Sequence, residues 1–243
     1  MKLHFIGTSH GVPEADRRLS CTLLEVNGAL YFFDMGTDVV SDIRRLGYRV
    51  EDVRAVFVTH PHNDHMDGLI GFAAICNWYY KSAHPKVYLP REGFPDLING
   101  WIHLTCSPGN ELEYFVYQPG EVYSDENITV TAYPTKHCAF AHAFLIEAEG
   151  KKIVYTGDLQ SPKVDFPPVA FEMAERGERL DLIVCEMAHV SPVEAAEVFD
   201  RLRPGRVIHN HAAPYRYDAF DQAAAAQHPY PIELSFDGMT AEL

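Results

Sequence analysis

The segment that decides the fold is ten residues long and carries three histidines and two carboxylates. It reads Thr59-His60-Pro61-His62-Asn63-Asp64-His65-Met66-Asp67-Gly68. The segment follows an apolar run from Val53 to Val58, which is typical of a strand. Neutral imidazoles and carboxylates are the side chains that bind zinc, manganese and iron in proteins. The pattern H-x-H-x-D-H after a strand therefore predicts a metal site, and a polar loop that happens to be rich in histidine is the alternative interpretation.

The spacing within this segment suggests two adjacent metal positions. His60 and His62 are two residues apart, so at the mouth of a strand their side chains point the same way. Asp64 and His65 follow one turn later and can face a second ion. Three further candidates each follow an apolar strand, and these are His137, Asp158 and His211. Because each of these strands delivers one ligand-type residue to the same rim, we expect the seven side chains to converge.

Composition limits the classes of partner. The 243 residues include 34 acidic and 20 basic side chains, a formal net charge of −14. Proteins that grip nucleic acid usually carry a basic face, so we expect a small-molecule substrate rather than a nucleic acid. Five scattered cysteines without a C-x-x-C pair indicate a reducing interior. No signal peptide or membrane span is recognisable, and we expect a cytoplasmic protein that does not bind membranes.

The order of predicted elements indicates the architecture. Helical patterns cover Asp38–Leu46, Asp67–Tyr80, Phe94–His103, Val169–Arg176, Pro192–Arg203 and Tyr217–Gln227. Twelve strand-like runs lie before, between and after them, from Lys2–Ile6 to Ile232–Phe236. Strands come first in each half, which predicts two mixed sheets packed face to face with helices outside. We expect one metallo-hydrolase domain over residues 1–243, with the reactive polar residues in loops at one end.

Taken together, these residues resemble the metallo-β-lactamase superfamily over essentially the whole chain. The resemblance implies an α/β (α+β) fold of the αββα four-layer sandwich type. It implies a centre of two divalent metal ions, with zinc expected and manganese or iron as alternatives. One ion is implied at His60, His62 and His137, the second at Asp64, His65 and His211, and Asp158 bridges the two. His209 remains the alternative to His211 as the last ligand.

Within the superfamily, the chain most resembles ribonuclease Z and related small phosphodiesterases. The similar segments are Gly7-Thr8-Ser9-His10-Gly11-Val12-Pro13, Phe33-Asp34-Met35-Gly36 and Cys185-Glu186-Met187-Ala188-His189-Val190-Ser191. The resemblance implies that His189 helps to protonate the leaving group with Glu186 as its partner, and that Asp64 orients the nucleophile as well as binding metal. A helix-capping or packing role is the alternative for His189. The residues Ser9, His10, His142 and Tyr215 are candidates for contact with substrate.

One departure from ribonuclease Z bears on the substrate. That enzyme has a long tRNA-gripping arm between its third metal-binding histidine and its bridging aspartate, whereas here Asp158 comes 21 positions after His137. No arm fits in this interval. The resemblance to phosphodiesterases without an arm therefore implies hydrolysis of a small or cyclic phosphodiester, by a hydroxide activated between two metals. The alternatives are an acyl hydrolase acting on a lactone or thioester, a minimal RNA-processing enzyme, and a non-catalytic metal-bound sensor. A homodimer is expected from the resemblance alone.

Overall fold

Fourteen strands and seven helices form the described part of the chain. The computed structural model describes residues 1–105 and 109–243, so Cys106 lies outside the described residues. The strands are β1 (Lys2–Gly7), β2 (Cys21–Val26), β3 (Ala29–Met35), β4 (Val53–Phe57), β5 (Lys86–Leu89), β6 (Glu113–Val116), β7 (Gly120–Ser124), β8 (Ile128–Pro134), β9 (His142–Ala148), β10 (Lys151–Tyr155), β11 (Leu182–Glu186), β12 (Val207–Asn210), β13 (Ile232–Leu234) and β14 (Thr240–Glu242). The helices are α1 (Val40–Arg45), α2 (Asn63–Trp78), α3 (Phe94–Thr105), α4 (Pro162–Asp165), α5 (Pro168–Glu175), α6 (Pro192–Leu202) and α7 (Tyr217–Ala225).

The strands form two mixed seven-stranded sheets. The first has the order β14-β1-β2-β3-β4-β5-β6, and the second has the order β13-β12-β11-β10-β9-β8-β7. In the first sheet β3, β4, β5 and β6 run parallel, while β1, β2 and β14 pair antiparallel. In the second sheet β10 to β13 run parallel, and β7 to β10 pair antiparallel. Each parallel step needs a crossover, and helices supply most of them.

Helices cover the outer face of each sheet, so the molecule has four layers. Ile43 of α1, Leu69 and Phe72 of α2 and Ile98 of α3 belong to one buried cluster with the outward side chains of the first sheet. A second cluster joins α5 and α6 to the second sheet. This is the predicted αββα sandwich of the α/β (α+β) class, the metallo-β-lactamase fold. Among the described residues, no helix is long and apolar enough to cross a bilayer.

Aromatic side chains fill the space between the two sheets. Phe33 stacks on Phe57 within the first sheet at a ring-centroid distance of 5.2 Å. Phe33 also meets Phe144 and Tyr155 of the second sheet at 6.0 and 5.8 Å. Burying a phenylalanine side chain stabilises a fold by about 1.5–3 kcal/mol, so this cluster holds the sheets together. Phe57 and Tyr155 precede His60 and Asp158 by three residues each, so these rings lie on the sheet side of the polar rim.

The strands that were expected to deliver polar residues end at the same edge of the sandwich. Strands β4, β8, β10 and β12 end just before His60, His137, Asp158 and His211. Strands β8 and β10 both pair antiparallel with β9, and β10, β11 and β12 run parallel, so their carboxyl ends point one way. Parallel strands that end together place the following residues around one opening.

The predicted elements agree with the structure in type, and they differ in detail. Helix α2 begins at Asn63, four residues before the predicted Asp67, because the polar start of this helix hides its apolar period. The short helix α4 and the strands β7 and β14 were not predicted. Strand β14 has three residues and lies at a sheet edge, which leaves little alternation to recognise. Strand β7 has only partly buried or exposed residues.

A carboxylate at the far end of the sandwich ties the two sheets together and gives a test of the fold. The hydroxyls of Tyr31 and Tyr123 both donate to Oδ2 of Asp125, at 2.7 and 2.6 Å. The backbone amides of Asn127 and Ile128 donate to its Oδ1, at 2.8 and 2.9 Å. Burial opposes the ionised form of Asp125, but these hydrogen bonds outweigh it and lower its pKa below the usual range.

We predict that Asp125→Ala lowers the free energy of unfolding by about 1–3 kcal/mol at neutral pH, because it leaves hydroxyls of the core without an acceptor. Since the folded-state pKa is lowered, the carboxylate contributes fully above the unfolded value of about 4 and loses its effect as the pH falls through the folded value. Denaturant unfolding at pH 7 and in acid checks both points. Asp221→Ala, at an exposed aspartate of α7, is the control. An equal effect of both variants would contradict the prediction.

Candidate metal centre

The segment from Thr59 to Gly68 passes from a strand into a helix, and this passage sets the position of its ligand-type residues. His60 follows β4 and is fully buried. His62 precedes the first turn of α2 with an extended backbone, φ −72° and ψ 148°. Asp64 and His65 lie in that first turn, both buried. The three elements of the motif thus present their side chains from a strand end, a bend and a helix start toward one point.

Asp34 holds this segment in place from below. One of its oxygens accepts hydrogen bonds from the backbone amide and hydroxyl of Thr59, at 2.7 and 2.9 Å. The other lies 2.8 Å from His65 Nδ1 and accepts from the Tyr155 hydroxyl at 3.2 Å. A carboxylate on one ring nitrogen leaves the other nitrogen free to face a metal. Asp34 therefore fixes the orientation of the His65 ring, with Nε2 directed to the cluster.

Asp158 lies among five imidazoles, four of which belong to predicted metal ligands. Its Oδ2 is 3.7 Å from His60 Nε2, 3.6 Å from His137 Nε2 and 3.5 Å from His211 Nε2. Its Oδ1 is 3.6 Å from His65 Nε2. The side chain is 2% exposed. A carboxylate in this central position touches both halves of the motif, as the predicted bridging role requires.

Glycine at position 157 allows Asp158 to reach this place. Gly157 has a φ of +52°, and a Cβ there would come 2.8 Å from the Thr59 side chain and 2.9 Å from His142 O. Any larger residue would push β10 away from the strand-end loop that carries His60. Gly36 meets a similar limit, because a Cβ there would overlap the carbonyl of Asp64.

The potential ligand atoms fall into two adjacent groups. His62 Nδ1 is 3.1 Å from both His60 Nε2 and His137 Nε2. Asp64 Oδ2 is 3.3 Å from His65 Nε2 and 3.6 Å from His211 Nε2. Within each group all ligand atoms lie within 4.8 Å of one another, and Asp158 forms further groups with His60 and His65 and with His137 and His189. The structure thus brings together all seven side chains that the sequence pattern singled out.

Several atoms in this cluster lack the hydrogen bonds that burial demands. His65 Nε2, His211 Nε2 and Asp158 Oδ1 are buried and make no hydrogen bond within residues 1–105 and 109–243. An unsatisfied buried polar group costs about 1–3 kcal/mol. All three atoms point into the space between the two groups. Imidazole nitrogens and carboxylate oxygens at this spacing are the donor set of divalent metals, typically zinc, so the residues fit such an ion.

Burial also prepares most of the histidines for metal binding. It lowers the pKa of His60 and of His137, and burial together with the charge of His65 lowers the pKa of His211 to about 3. These rings are therefore neutral at pH 7, which is the form that coordinates metal. Burial raises the pKa of Asp158 to about 6, so the isolated carboxylate is poorly stabilised. A cation beside it favours the ionised form.

Backbone geometry distinguishes His211 from His209. His211 has a φ of +53°, which ends the strand alternation that would otherwise place both rings on one side. The ring of His209 packs edge-on against Phe220 at 6.0 Å, away from the cluster. His211 Nδ1 lies 2.7 Å from the hydroxyl of Ser20, and its Nε2 faces Asp64 and Asp158. The geometry favours His211 as the last ligand.

Glu186 and His189 lie beside the cluster, at the end of β11. Glu186 is buried and accepts from the His189 amide at 2.8 Å and from the Leu159 amide at 3.3 Å. His189 Nδ1 is 3.5 Å from Glu186 Oε1 and 3.4 Å from Asp158 Oδ2. The Glu186 carboxylate raises the pKa of His189 above its ordinary value. With a side chain 42% exposed, His189 borders the opening of the site while the cluster lies beneath it.

Of the four residues predicted to contact substrate, two are buried and two lie at an accessible surface. Ser9 is fully buried and its hydroxyl donates to Val12 O, so that side chain is directed into its own loop. His142 is also buried, with Nδ1 3.1 Å from Phe140 O. His10 and Tyr215 come from different loops and meet edge to face at 6.3 Å. Tyr215 is 68% exposed. His10 and Tyr215 are therefore the two candidates that lie at an accessible surface.

Sequence reasoning missed the residues that support the cluster through hydrogen bonds. Ser20 is paired with His211 across 191 positions of sequence, and the Tyr155 hydroxyl reaches Asp34 across 121. Neither residue type is diagnostic by itself. Only the packing of the two sheets, which brings the start of β2 close to the end of β12 and the end of β3 close to the end of β10, shows these contacts.

We predict that Ser20→Ala weakens zinc binding by about 10–100-fold, because the His211 ring loses the hydrogen bond that orients it. Metal-free protein titrated with zinc against a competing chelator gives the affinity. Ser41→Ala removes an exposed hydroxyl on α1 and serves as the matched control. Equal affinity of the Ser20→Ala variant and the wild type would show that this hydroxyl does not hold the ligand.

The chain is similar to a described protein family and to curated ribonucleases. A family model described as anti-Pycsar protein Apyc1 matches residues 1–175. Ribonuclease Z of Gloeothece citriformis is 32% identical over 140 residues, which cover 56% of this chain and 44% of that protein. The chain spans about half the length of the curated ribonucleases Z that it matches first.

Solved structures match over nearly the full chain. The metallo-β-lactamase fold protein YhfI from Bacillus subtilis has a TM-score of 0.76 at 21% identity, with 99% of this chain and 98% of that one covered. A diphosphatase from the PhnP family has a TM-score of 0.72 at 16% identity, with 100% and 97% covered. At these identities the two structures establish the fold.

Proposed function

The chain belongs to the family of anti-Pycsar protein Apyc1, and from this premise we propose that it is a phosphodiesterase acting on a small or cyclic phosphodiester. It is a metal-dependent hydrolase of the ribonuclease Z-like branch of the metallo-β-lactamase fold. One observation carries the proposal. A buried carboxylate, Asp158, stands between two groups of metal-binding side chains and within 3.4 Å of a partly exposed histidine, His189.

The proposed cofactor is a pair of divalent ions, zinc in the first place. His60, His62 and His137 would hold one ion, Asp64, His65 and His211 would hold the other, and Asp158 would contact both. When bound, the ions supply Lewis acidity that stabilises negative charge developing on phosphoryl oxygens. Two cations also neutralise the charge of a phosphodiester on a chain whose net charge is −14.

The residues of the chain itself would manage the proton of the departing oxygen. Glu186 accepts a hydrogen bond from the His189 amide and favours the protonated imidazole, since its carboxylate raises the pKa of the ring. A histidine with a pKa near the working pH is a suitable general acid. His189 is partly exposed above Asp158, so it can reach an oxygen that leaves toward solvent. Asp64, beside the second metal group, would orient the attacking water.

The segment between His137 and Asp158, where ribonuclease Z has its arm, favours the proposal of a small substrate. Between His137 and Asp158 the chain forms only β9, a two-residue turn and β10. The strands of this hairpin are internal to the second sheet and pair on both sides. The short hairpin and the excess of acidic residues offer no evident binding surface for a long polyanion such as RNA. RNA processing, which the names of the relatives suggest, is therefore the alternative.

We predict that the metal-loaded protein hydrolyses bis(p-nitrophenyl) phosphate, and that His62→Ala abolishes this activity without loss of fold, because His62 lies at the rim rather than in the core. Release of p-nitrophenolate measures turnover, and circular dichroism measures folding. His103→Ala, at an exposed histidine of α3, is the control.

Parallel assays separate the other functions. Rapid hydrolysis of p-nitrophenyl acetate or a lactone with no phosphodiester turnover would reject the proposal in favour of an acyl hydrolase. Salt-sensitive binding and cleavage of a tRNA precursor would favour RNA processing. Metal binding with no turnover of any of these substrates would favour the non-catalytic sensor.

A further inference from the structure

The loop that carries His189 is held through its backbone. This loop, residues 187–191, joins β11 to α6. The Met187 amide donates to Asn210 O at 3.0 Å, and the His189 amide donates to Glu186. Met187, Ala188 and Val190 are buried, whereas the side chain of His189 between them is partly exposed. The position of the His189 imidazole therefore depends on what fixes the peptide groups of the loop.

Two side chains that follow His211 hold the outer peptide groups of this loop. The Tyr215 hydroxyl donates to Ala188 O at 2.9 Å. The guanidinium of Arg216 donates through Nη2 to His189 O at 3.1 Å and through Nε to Ala188 O at 3.4 Å. The same guanidinium lies 5.6 Å from the centroid of the Tyr215 ring. One planar group thus links two successive carbonyls and rests on an aromatic face.

Arginine suits this arrangement in a way that lysine does not. A guanidinium presents several donors in a rigid plane and stacks on aromatic rings, whereas an ammonium is a flexible point charge. The donors of Arg216 are directed at carbonyl oxygens, and none of the ion pairs among the described residues includes Arg216. Among the described residues, the guanidinium therefore pairs with no carboxylate, and its hydrogen bonds go to the carbonyls of the loop.

We propose that Arg216, supported by Tyr215, is a positioning residue that holds His189 over the metal cluster. The inference rests on the proposed function, because it takes His189 as the donor of a proton to the leaving oxygen. Arg216 links the segment after the last ligand, His211, to the loop of the proton donor. The contact of Arg216 with the loop therefore sets the distance between the second metal group, which contains His211, and His189, which protonates the leaving oxygen.

The test uses two substrates of equal charge that differ in their leaving group. Methyl p-nitrophenyl phosphate releases a phenolate that needs little protonation, whereas methyl phenyl phosphate releases one that needs more. We expect Arg216→Ala to lower kcat for methyl phenyl phosphate by about 10–100-fold, part of the usual effect of a general acid. The loss for methyl p-nitrophenyl phosphate is expected to be at least about fivefold smaller, with KM for both little changed.

Matched variants make the comparison specific. Arg91→Ala removes another arginine that rests on an aromatic ring, Phe140, at 5.3 Å, but that does not contact the loop of His189. It should affect both substrates by the same factor. Arg216→Lys should not restore the activity toward methyl phenyl phosphate, since a single ammonium cannot link two carbonyls. Tyr215→Phe should shift the two substrates in the same direction as Arg216→Ala, but less.

Two results would overturn the inference. An equal fall of kcat for both substrates would show a general structural effect, and a raised KM with unchanged kcat would make Arg216 a phosphate contact. Hydrogen exchange adds a readout that is independent of catalysis: amides of residues 187–191 should exchange faster in Arg216→Ala and not in Arg91→Ala. If the wild type hydrolyses neither diester, the proposed function fails. The exchange data then decide the inference alone, and unchanged exchange overturns it.

Discussion

The structure depends on a buried carboxylate that its own surroundings do not satisfy. Asp158 is almost inaccessible to solvent, faces the ring nitrogens of five histidines, and keeps one oxygen without a hydrogen bond in the described part of the chain. Burial of such a group is costly unless a positive charge or several donors compensate it. Lowered pKa values keep the rings of His60, His137 and His211 neutral. Burial opposes protonation of His65, but the Asp34 and Asp158 carboxylates outweigh it and raise its pKa, so in the absence of metal this ring carries the compensating positive charge. The divalent cations that we propose would place more positive charge beside Asp158 than a single protonated ring does.

The rest of the fold places Asp158 and its histidines at the rim of the sandwich, where a substrate can reach them. Strand ends from both sheets meet at one rim, above a floor of packed aromatic rings. Three unusual backbone conformations, at Asp34, Gly157 and His211, turn the chain from strand direction into the site. Hydrogen bonds from Asp34 and Ser20 then fix two ligand rings. The orientation of the ligand rings thus depends on residues that are not predicted metal ligands themselves, as is usual for metal sites.

The sequence predicts the metal-binding residues better than it predicts the residues that hold them in place. The H-x-H-x-D-H segment and the three strand-terminal residues are local patterns, because a strand followed by a ligand can be read without tertiary contacts. Helix α2 begins earlier than its apolar period suggests, since the ligands themselves occupy its first turn. Arg216 could not be foreseen, because its partners are backbone carbonyls 27 and 28 positions away that carry no sequence signal. Choosing between His209 and His211 required a backbone angle, which residue type alone does not encode.

The most direct test of the central claim is a crystal structure of the zinc-loaded protein, with anomalous diffraction recorded on both sides of the zinc absorption edge. The account predicts two anomalous peaks, one among His60, His62 and His137 and the other among Asp64, His65 and His211, with Asp158 in contact with both. A structure in which these side chains are saturated by water or by one another, with no anomalous density between them, would contradict it.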